Sequence, residues 1–292
     1  MIALITDPLR SLIRLITRPL APVSLLVLLT LVGLIGAVPV VESVAPHLER
    51  AVTPVWGPAG LDEPLLEDLP WYREDWRRET GALWGVVGIL ALVLFALGDA
   101  VLIRAATGGF EGTAAAWGEA VRRAPALLAV ALCTLAWLGI DHLAFQRLLG
   151  RGLAAYAERV ESEVFALWLE ALPDLCWLVF AMPVIVGADL ARVRLITGQK
   201  RSGPLAFLWG VSRVLRSITP WLLAGVVFVA ESLVLVAFAL TRHLWDPRVA
   251  ATPLIALGTI LLLLLLRLLA HGAYLGSLAR WYSRVLAPAQ PS

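Results

Sequence analysis

Glu231 stands halfway along the run "LLAGVVFVAESLVLVAFAL", and Arg267 follows six consecutive leucines. A charge at the centre of a lipid-embedded helix costs at least ~2.5–3.5 kcal/mol, so it faces a partner or a cavity. A hairpin turning near Pro247 would set Glu231 level with about residue 263, one helical turn from Arg267. Two chemistries fit such a pair: a structural ion pair between helices, or a relay for an ion or polar solute.

Two further acidic residues occur in matched settings. "DAVLIRAATG" runs from Asp99 to Gly108 and "DLARVRLITG" from Asp189 to Gly198. Asp99 and Asp189 fall within reach of Arg104, Arg192 and Arg194, near the ends of their apolar runs. Ion pairs at a membrane interface fit these residues, and so do paired gate residues.

The remaining reactive side chains form no recognisable constellation. Cys133 and Cys176 sit in separate apolar runs with no CxxC spacing, which marks them as packing residues. His47, His142, His243 and His271 are scattered, and Asp141-His142 with His243 is the nearest approach to a metal set. There is no P-loop, no H-E-x-x-H and no G-x-S-x-G. No catalytic residue, metal or cofactor is therefore expected, and the balance is against an enzyme.

The elements that carry these residues follow from composition. Of 292 residues, 60% are hydrophobic and 16% charged, and mean hydropathy is +0.83. A soluble domain of this length needs more charged surface. Six apolar runs are near the ~20 residues that span a bilayer as helix: 20–41, 82–103, 125–143, 173–191, 220–240 and 253–274. Lipid forces each backbone group to pair within its own segment, so the chain is expected to be an all-α, six-span helical bundle. Pro183 should kink the fourth span. The first run is longer than a signal-peptide core and is read as a retained span.

Orientation follows from the basic flanks. With the N-terminus inside, fourteen of the 24 basic residues fall in inner segments and nine in outer ones. Both termini are accordingly placed inside. The basic inner face should meet anionic headgroups. The acidic, Trp-bearing outer stretch 42–81 offers a surface for a protein partner. No nucleic-acid signature is present.

The motif around Asp99 extends to Trp117-Gly118 and Pro125, and its counterpart to Trp209-Gly210 and Pro220. A third, worn copy starts at Arg10, Arg14 and Arg18, spaced as one helical stripe opposite Leu9, Leu12, Ile13 and Ile16. Each copy reads as an interfacial amphipathic helix, a proline bend and a two-span hairpin. The chain is thus a single membrane domain, 1–292, with repeat units 1–105, 106–195 and 196–285. Trp117, Trp209, Trp221 and Trp281 are read as interfacial anchors.

"AWGEAVRRAP" and "FLWGVSRVLRSITP" resemble segments of a broad group of bacterial six-span membrane proteins. The membrane domain attached to some glycerophosphodiester phosphodiesterases belongs to that group. The resemblance covers most of the chain and implies a location and a shape. It implies no reaction, because in that group the membrane domain is not the catalytic part.

Three functions remain in view. The first is a non-enzymatic scaffold or accessory membrane component. The second is a small-solute or ion transporter or channel using Glu231. The third is an intramembrane lipid-modifying enzyme, for which no nucleophile and base can be named.

Reporter fusions at residues 60, 110, 155, 205, 247 and 292 should alternate, starting outside and finishing inside. A cytoplasmic signal at residue 60 would invert the first hairpin and overturn this topology.

Overall fold

The computed structural model of the chain describes residues 2–50, 74–108, 112–157, 159, 162–198, 202–242 and 252–285. They form ten α-helices: α1 (Ile2–Thr17), α2 (Leu20–Arg50), α3 (Glu74–Thr107), α4 (Thr113–Arg122), α5 (Ala124–Phe145), α6 (Arg151–Ala157), α7 (Glu163–Thr197), α8 (Gly203–Leu215), α9 (Ile218–Arg242) and α10 (Thr252–Val285). A π-helical turn, Gln146–Gly150, joins α5 to α6. No strand occurs among the described residues. Residues 51–73, with Trp71 and Tyr72 of the acidic stretch, lie outside them. So do Lys200, Arg201, His243, Trp245 and Pro247.

Five helical segments are long and apolar enough to cross a membrane: Leu20–Val38, Thr80–Thr107, Ala124–Leu153, Ala171–Thr197 and Gly258–Val285. The fifth expected run lies within α9. Gly203–Leu215 and Ile218–Val234 qualify only together, and they meet at a bend of 92°. A sixth crossing is counted if this bent pair is one span. Pro173 and Pro183 both lie within α7, which continues through them as one helix.

The chain divides into two compact units, and three of the four divisions fall inside helices. Unit one holds Met1–Pro19, Ala96–Glu231 and Leu269–Ser292; unit two holds Leu20–Phe95 and Ser232–Leu268. Within unit two, α2 and α3 meet at Gly36, where an added methyl would lie 3.1 Å from Val87. Much of its remaining described surface is exposed and apolar, as at Leu31, Leu34, Ile89 and Leu262. A helix apolar over most of its circumference needs lipid or protein around it.

Unit one has the close-packed core. Leu102, Ile103, Leu127, Leu190, Leu195, Leu275 and Leu278 are fully buried. Contact register sets α3 and α10 parallel: Asp99 meets His271 and Ala106 meets Arg280. The C-terminal half of α7 runs the same way: Arg192 is level with Asp99, and further on a methyl at Gly198 would lie 3.6 Å from the Tyr282 hydroxyl of α10. On α1, Asp7, Ser11 and Leu15 form the buried stripe. Leu9, Ile13 and Ile16 are turned outward, as suits an amphipathic helix lying in lipid.

The helix ends carry matched local structure. Thr107 Oγ1 donates to Ile103 O at 2.8 Å and Thr197 Oγ1 to Val193 O at 2.7 Å. Gly108 N donates to Arg104 O and Gly198 N to Arg194 O, closing α3 and α7. Gly108 has φ +78°, a conformation that favours glycine. The breaks after α4 and α8 both fall at an arginine, with φ −100°, ψ 4° at Arg123 and φ −102°, ψ −1° at Arg216. Pro125 and Pro204 occupy first-turn positions of α5 and α8, where no donor is needed.

Small residues bring α7 against α8. A methyl on Gly187 would lie 2.7 Å from the Val211 backbone, and one on Gly210 would strike the Gly187 carbonyl. Small residues permit this backbone approach in membranes, where packing and hydrogen bonding drive helix association. Gly187→Val and Gly210→Val should each lower stability by about 1–3 kcal/mol through overpacking. Gly225→Ala, with open space around it, should leave the detergent Tm unchanged. Equal Tm values for all three would remove the tight α7–α8 contact.

Candidate functional site

Five polar side chains from α3, α7 and α10 gather in unit one. Arg192 Nη1 donates to Asp189 Oδ1 at 2.6 Å and lies 3.2 Å from Asp99 Oδ2. His271 Nε2 lies 3.1 Å from Asp99 Oδ1, so the proton of this hydrogen bond sits on Nε2 when Asp99 is ionised. Tyr274, one turn beyond His271, is buried near Asp189 without a hydrogen bond of good geometry to it. Asp99 and Asp189 are 7% and 4% exposed, deep enough that each charge requires a partner.

Helical spacing explains the pairing. Arg192 is three residues beyond Asp189, on the same helix face. Arg104 and Arg194 lie five beyond Asp99 and Asp189 and point elsewhere. Of the three arginines expected within reach, one therefore meets the aspartates. Arg192 serves both aspartates, Arg104 pairs with Glu119 at 3.5 Å, and Arg194 stacks over Trp209 at 4.1 Å.

The cluster can hold a proton. Two carboxylates face one guanidinium, so electroneutrality needs one more positive charge, on His271 or on a carboxyl oxygen. The His271 side chain is 30% exposed, the most accessible of the charged members. Glu231, half-buried in α9, acts on it electrostatically. Arg267 is exposed on α10. The sequence-expected partners fall to different units, Glu231 to the first and Arg267 to the second.

A second polar centre lies at Glu119 on α4. Its carboxylate accepts from Arg123 Nε at 2.6 Å and pairs with Arg122 and Arg104. Arg123 Nη1 also donates to Gly198 O at 2.9 Å. Glu119 thereby ties α4 to the end of α3, and Arg123 ties it to the end of α7. Cations at helix C-termini also meet the negative end of the helix dipole.

The other expected residues are placed as follows. Trp209 packs edge-on against Tyr282 with centroids 5.9 Å apart, and Trp221 Nε1 donates to Val214 O at 3.0 Å. Trp117 and Trp281 are half-buried. His142 lies 3.9 Å from Asp174 and edge-on to Trp177. Among the described residues no three His, Cys, Asp or Glu side chains form a metal-holding group. Cys133 and Cys176 are free thiols, both half-buried.

Sequence reasoning passed over His271, Tyr274 and Glu119. The available signals were spacings: His271-x-x-Tyr274 repeats the interval of Asp189-x-x-Arg192, and Glu119 precedes Arg122 and Arg123 by three and four residues. No family model, curated protein or solved structure matches the chain.

Burial alone would raise the Glu119 pKa. The hydrogen bond and charge of Arg123, then Arg122 and Arg104, outweigh it and hold the carboxyl below its usual range. A depressed folded-state pKa contributes stability above the unfolded value, about 4.3 for Glu, that is lost as pH falls through the folded value. Glu119→Gln should therefore lower the detergent Tm by a few degrees at pH 7. The gap to wild type should shrink below about pH 4. A gap independent of pH would mean that the glutamate charge is not the stabilising element.

Proposed function

We propose that this chain is a non-enzymatic integral component of a bacterial inner membrane, a scaffold or accessory subunit, with six spans and both termini inside. The six spans form three pseudo-repeats, 1–105, 106–195 and 196–285. What supports the topology is the level of the helix ends. Arg14 of α1 donates to Thr107 O, Arg123 of α4 to Gly198 O, and Arg280 of α10 to Asp7 O and Ala106 O. The three short helices and the ends of α3, α7 and α10 thus share one level. A chain that leaves that level and returns three times makes three two-span hairpins. The matched Asp99/Asp189, Thr107/Thr197 and Arg123/Arg216 positions favour duplication.

The observation carrying the scaffold reading is Arg192. Its guanidinium faces two carboxylates from two helices, and one of these also meets His271 on a third. The charges are directed at each other and join three helices. Such a platform would expose its acidic stretch 42–81 to a protein partner outside, and its basic rim to anionic lipid inside.

Proton-coupled transport is the second reading, favoured by the accessible edge of His271 and its neighbour Glu231. The two readings separate by experiment. Removing one partner from a buried ion pair costs ~3–5 kcal/mol, so Arg192→Leu should sharply lower the detergent Tm. Liposomes holding the wild-type chain and a pH-sensitive dye should show no proton flux under an imposed gradient. Flux that His271→Gln abolishes without loss of Tm would overturn the scaffold reading in favour of transport. An unchanged Tm for Arg192→Leu would remove the structural role of the cluster.

A further inference from the structure

We propose that α1 and the C-terminal turns of α10 form a site for the phosphate of an anionic phospholipid. The proposal rests on the membrane placement argued above. Arg10 and Arg14 come from α1, Arg280 and Arg284 from α10, and Asp7 lies among them. Arg284 Nη2 donates to both Asp7 carboxylate oxygens at 2.6 Å. Arg280 donates to Asp7 O at 2.6 Å and to Ala106 O at 3.0 Å. Arg14 donates to Thr107 O at 2.5 Å. Arg10, Arg14 and Arg284 all act electrostatically on Arg280.

Charge arithmetic shows what the group needs. Four guanidiniums carry four positive charges. Asp7 offsets one, and the C-terminal end of α3 supplies roughly half a charge more. About two and a half positive charges are left converging on one end of the bundle. A phosphate diester or monoester supplies one to two negative charges and several acceptor oxygens, and arginine's planar fork binds it bidentately. The bonds described occupy one terminal nitrogen each on Arg14 and Arg284, and Arg10 takes no part in them. Arg10, Arg14 and Arg284 are exposed at the surface.

The surroundings favour a lipid over free phosphate. Leu9, Ile13 and Ile16 are 57%, 52% and 57% exposed on the same helix as Arg10 and Arg14. Arg10, at the edge of the basic stripe, precedes Ile13 by three residues and so borders this face, and a headgroup held there would have its acyl chains against it. Free phosphate makes no use of it.

Native mass spectrometry of the full chain in mild detergent tests this, with phosphatidylglycerol or phosphatidylcholine added. Wild type should retain phosphatidylglycerol preferentially. Each arginine near an anionic lipid surface contributes about a fivefold change in affinity. Arg10→Gln should therefore weaken retention about fivefold, and Arg10→Gln with Arg284→Gln about twentyfold or more. Arg122→Gln and Arg216→Gln, on the other short helices, should leave it unchanged. Arg10→Gln alone carries the test if the double variant unfolds. Equal losses for all four substitutions would mean a diffuse basic rim and overturn the site. Retention of phosphatidylglycerol abolished by millimolar inorganic phosphate, with phosphate adducts in its place, would make the occupant a free anion and overturn the lipid assignment. Alkaline carbonate extraction tests the placement separately. A chain released from membranes refutes that reading itself. A chain that stays but shows no phosphatidylglycerol preference refutes only the site.

Discussion

A guanidinium enclosed by apolar helices is tolerated only if its charge is answered nearby, and Arg192 is answered by Asp99 and Asp189. That requirement fixes much of unit one. Asp99 belongs to α3 and Asp189 to α7, so satisfying Arg192 sets those helices side by side and at one level. His271 then reaches Asp99 from α10, which sets the third helix at the same level. An error of one turn in any of the three would separate charges in a low-dielectric setting, where an unpaired ion costs several kcal/mol. Apolar packing alone tolerates sliding of one leucine-rich helix along another. The ion cluster does not.

Around this core the backbone ends are closed by side chains from elsewhere in sequence. Orphan carbonyls at a helix C-terminus need donors, and in unit one arginines supply them. Arg14 closes α3 at Thr107, and Arg123 closes α7 at Gly198. Each comes from a short helix that then leads directly into a long apolar one. The amphipathic helices are therefore more than interface floats: they hold the C-terminal ends of α3 and α7 in place. Glu119 extends the arrangement by gathering Arg104, Arg122 and Arg123 at one carboxylate, so that like charges on neighbouring turns do not repel unanswered.

Helix content and the short helices were legible in sequence because both follow from local pattern. Apolar runs near bilayer length have few alternatives to helix, and the Arg10–Arg14–Arg18 spacing marks one helix face. The matched Asp99 and Asp189 were legible for the same reason, as a motif with fixed offsets. Arg192 was legible as one of three arginines within reach, and its i,i+3 spacing from Asp189 is local. Its second partner, Asp99, is set by tertiary register, while Arg104 and Arg194, five residues on, are turned well away from the aspartates' face. His271 carried only the weak mark of its spacing from Tyr274. It matters because α10 lies beside α3, a fact that no window of sequence contains. Glu231 and Arg267 stood out by depth in their runs, and that argument identifies a charge needing an answer without saying what answers it.

The core and the rim of unit one obey one electrostatic rule with opposite outcomes. At the core, Asp99, Asp189, Arg192 and a single proton balance, and the helices can close around them. At the rim, roughly eight residues and about 12 Å further along α3, Arg10, Arg14, Arg280 and Arg284 converge where Asp7 is the acidic residue among them. Water and salt screen such an excess at a surface, so it can persist without distorting the fold, whereas the same excess at the level of Arg192 could not. Where charge is closed, the protein is held together. Where charge stays open beside an apolar helix face, the unanswered part is available to something outside the chain, and an anion with an apolar tail answers both halves of that surface.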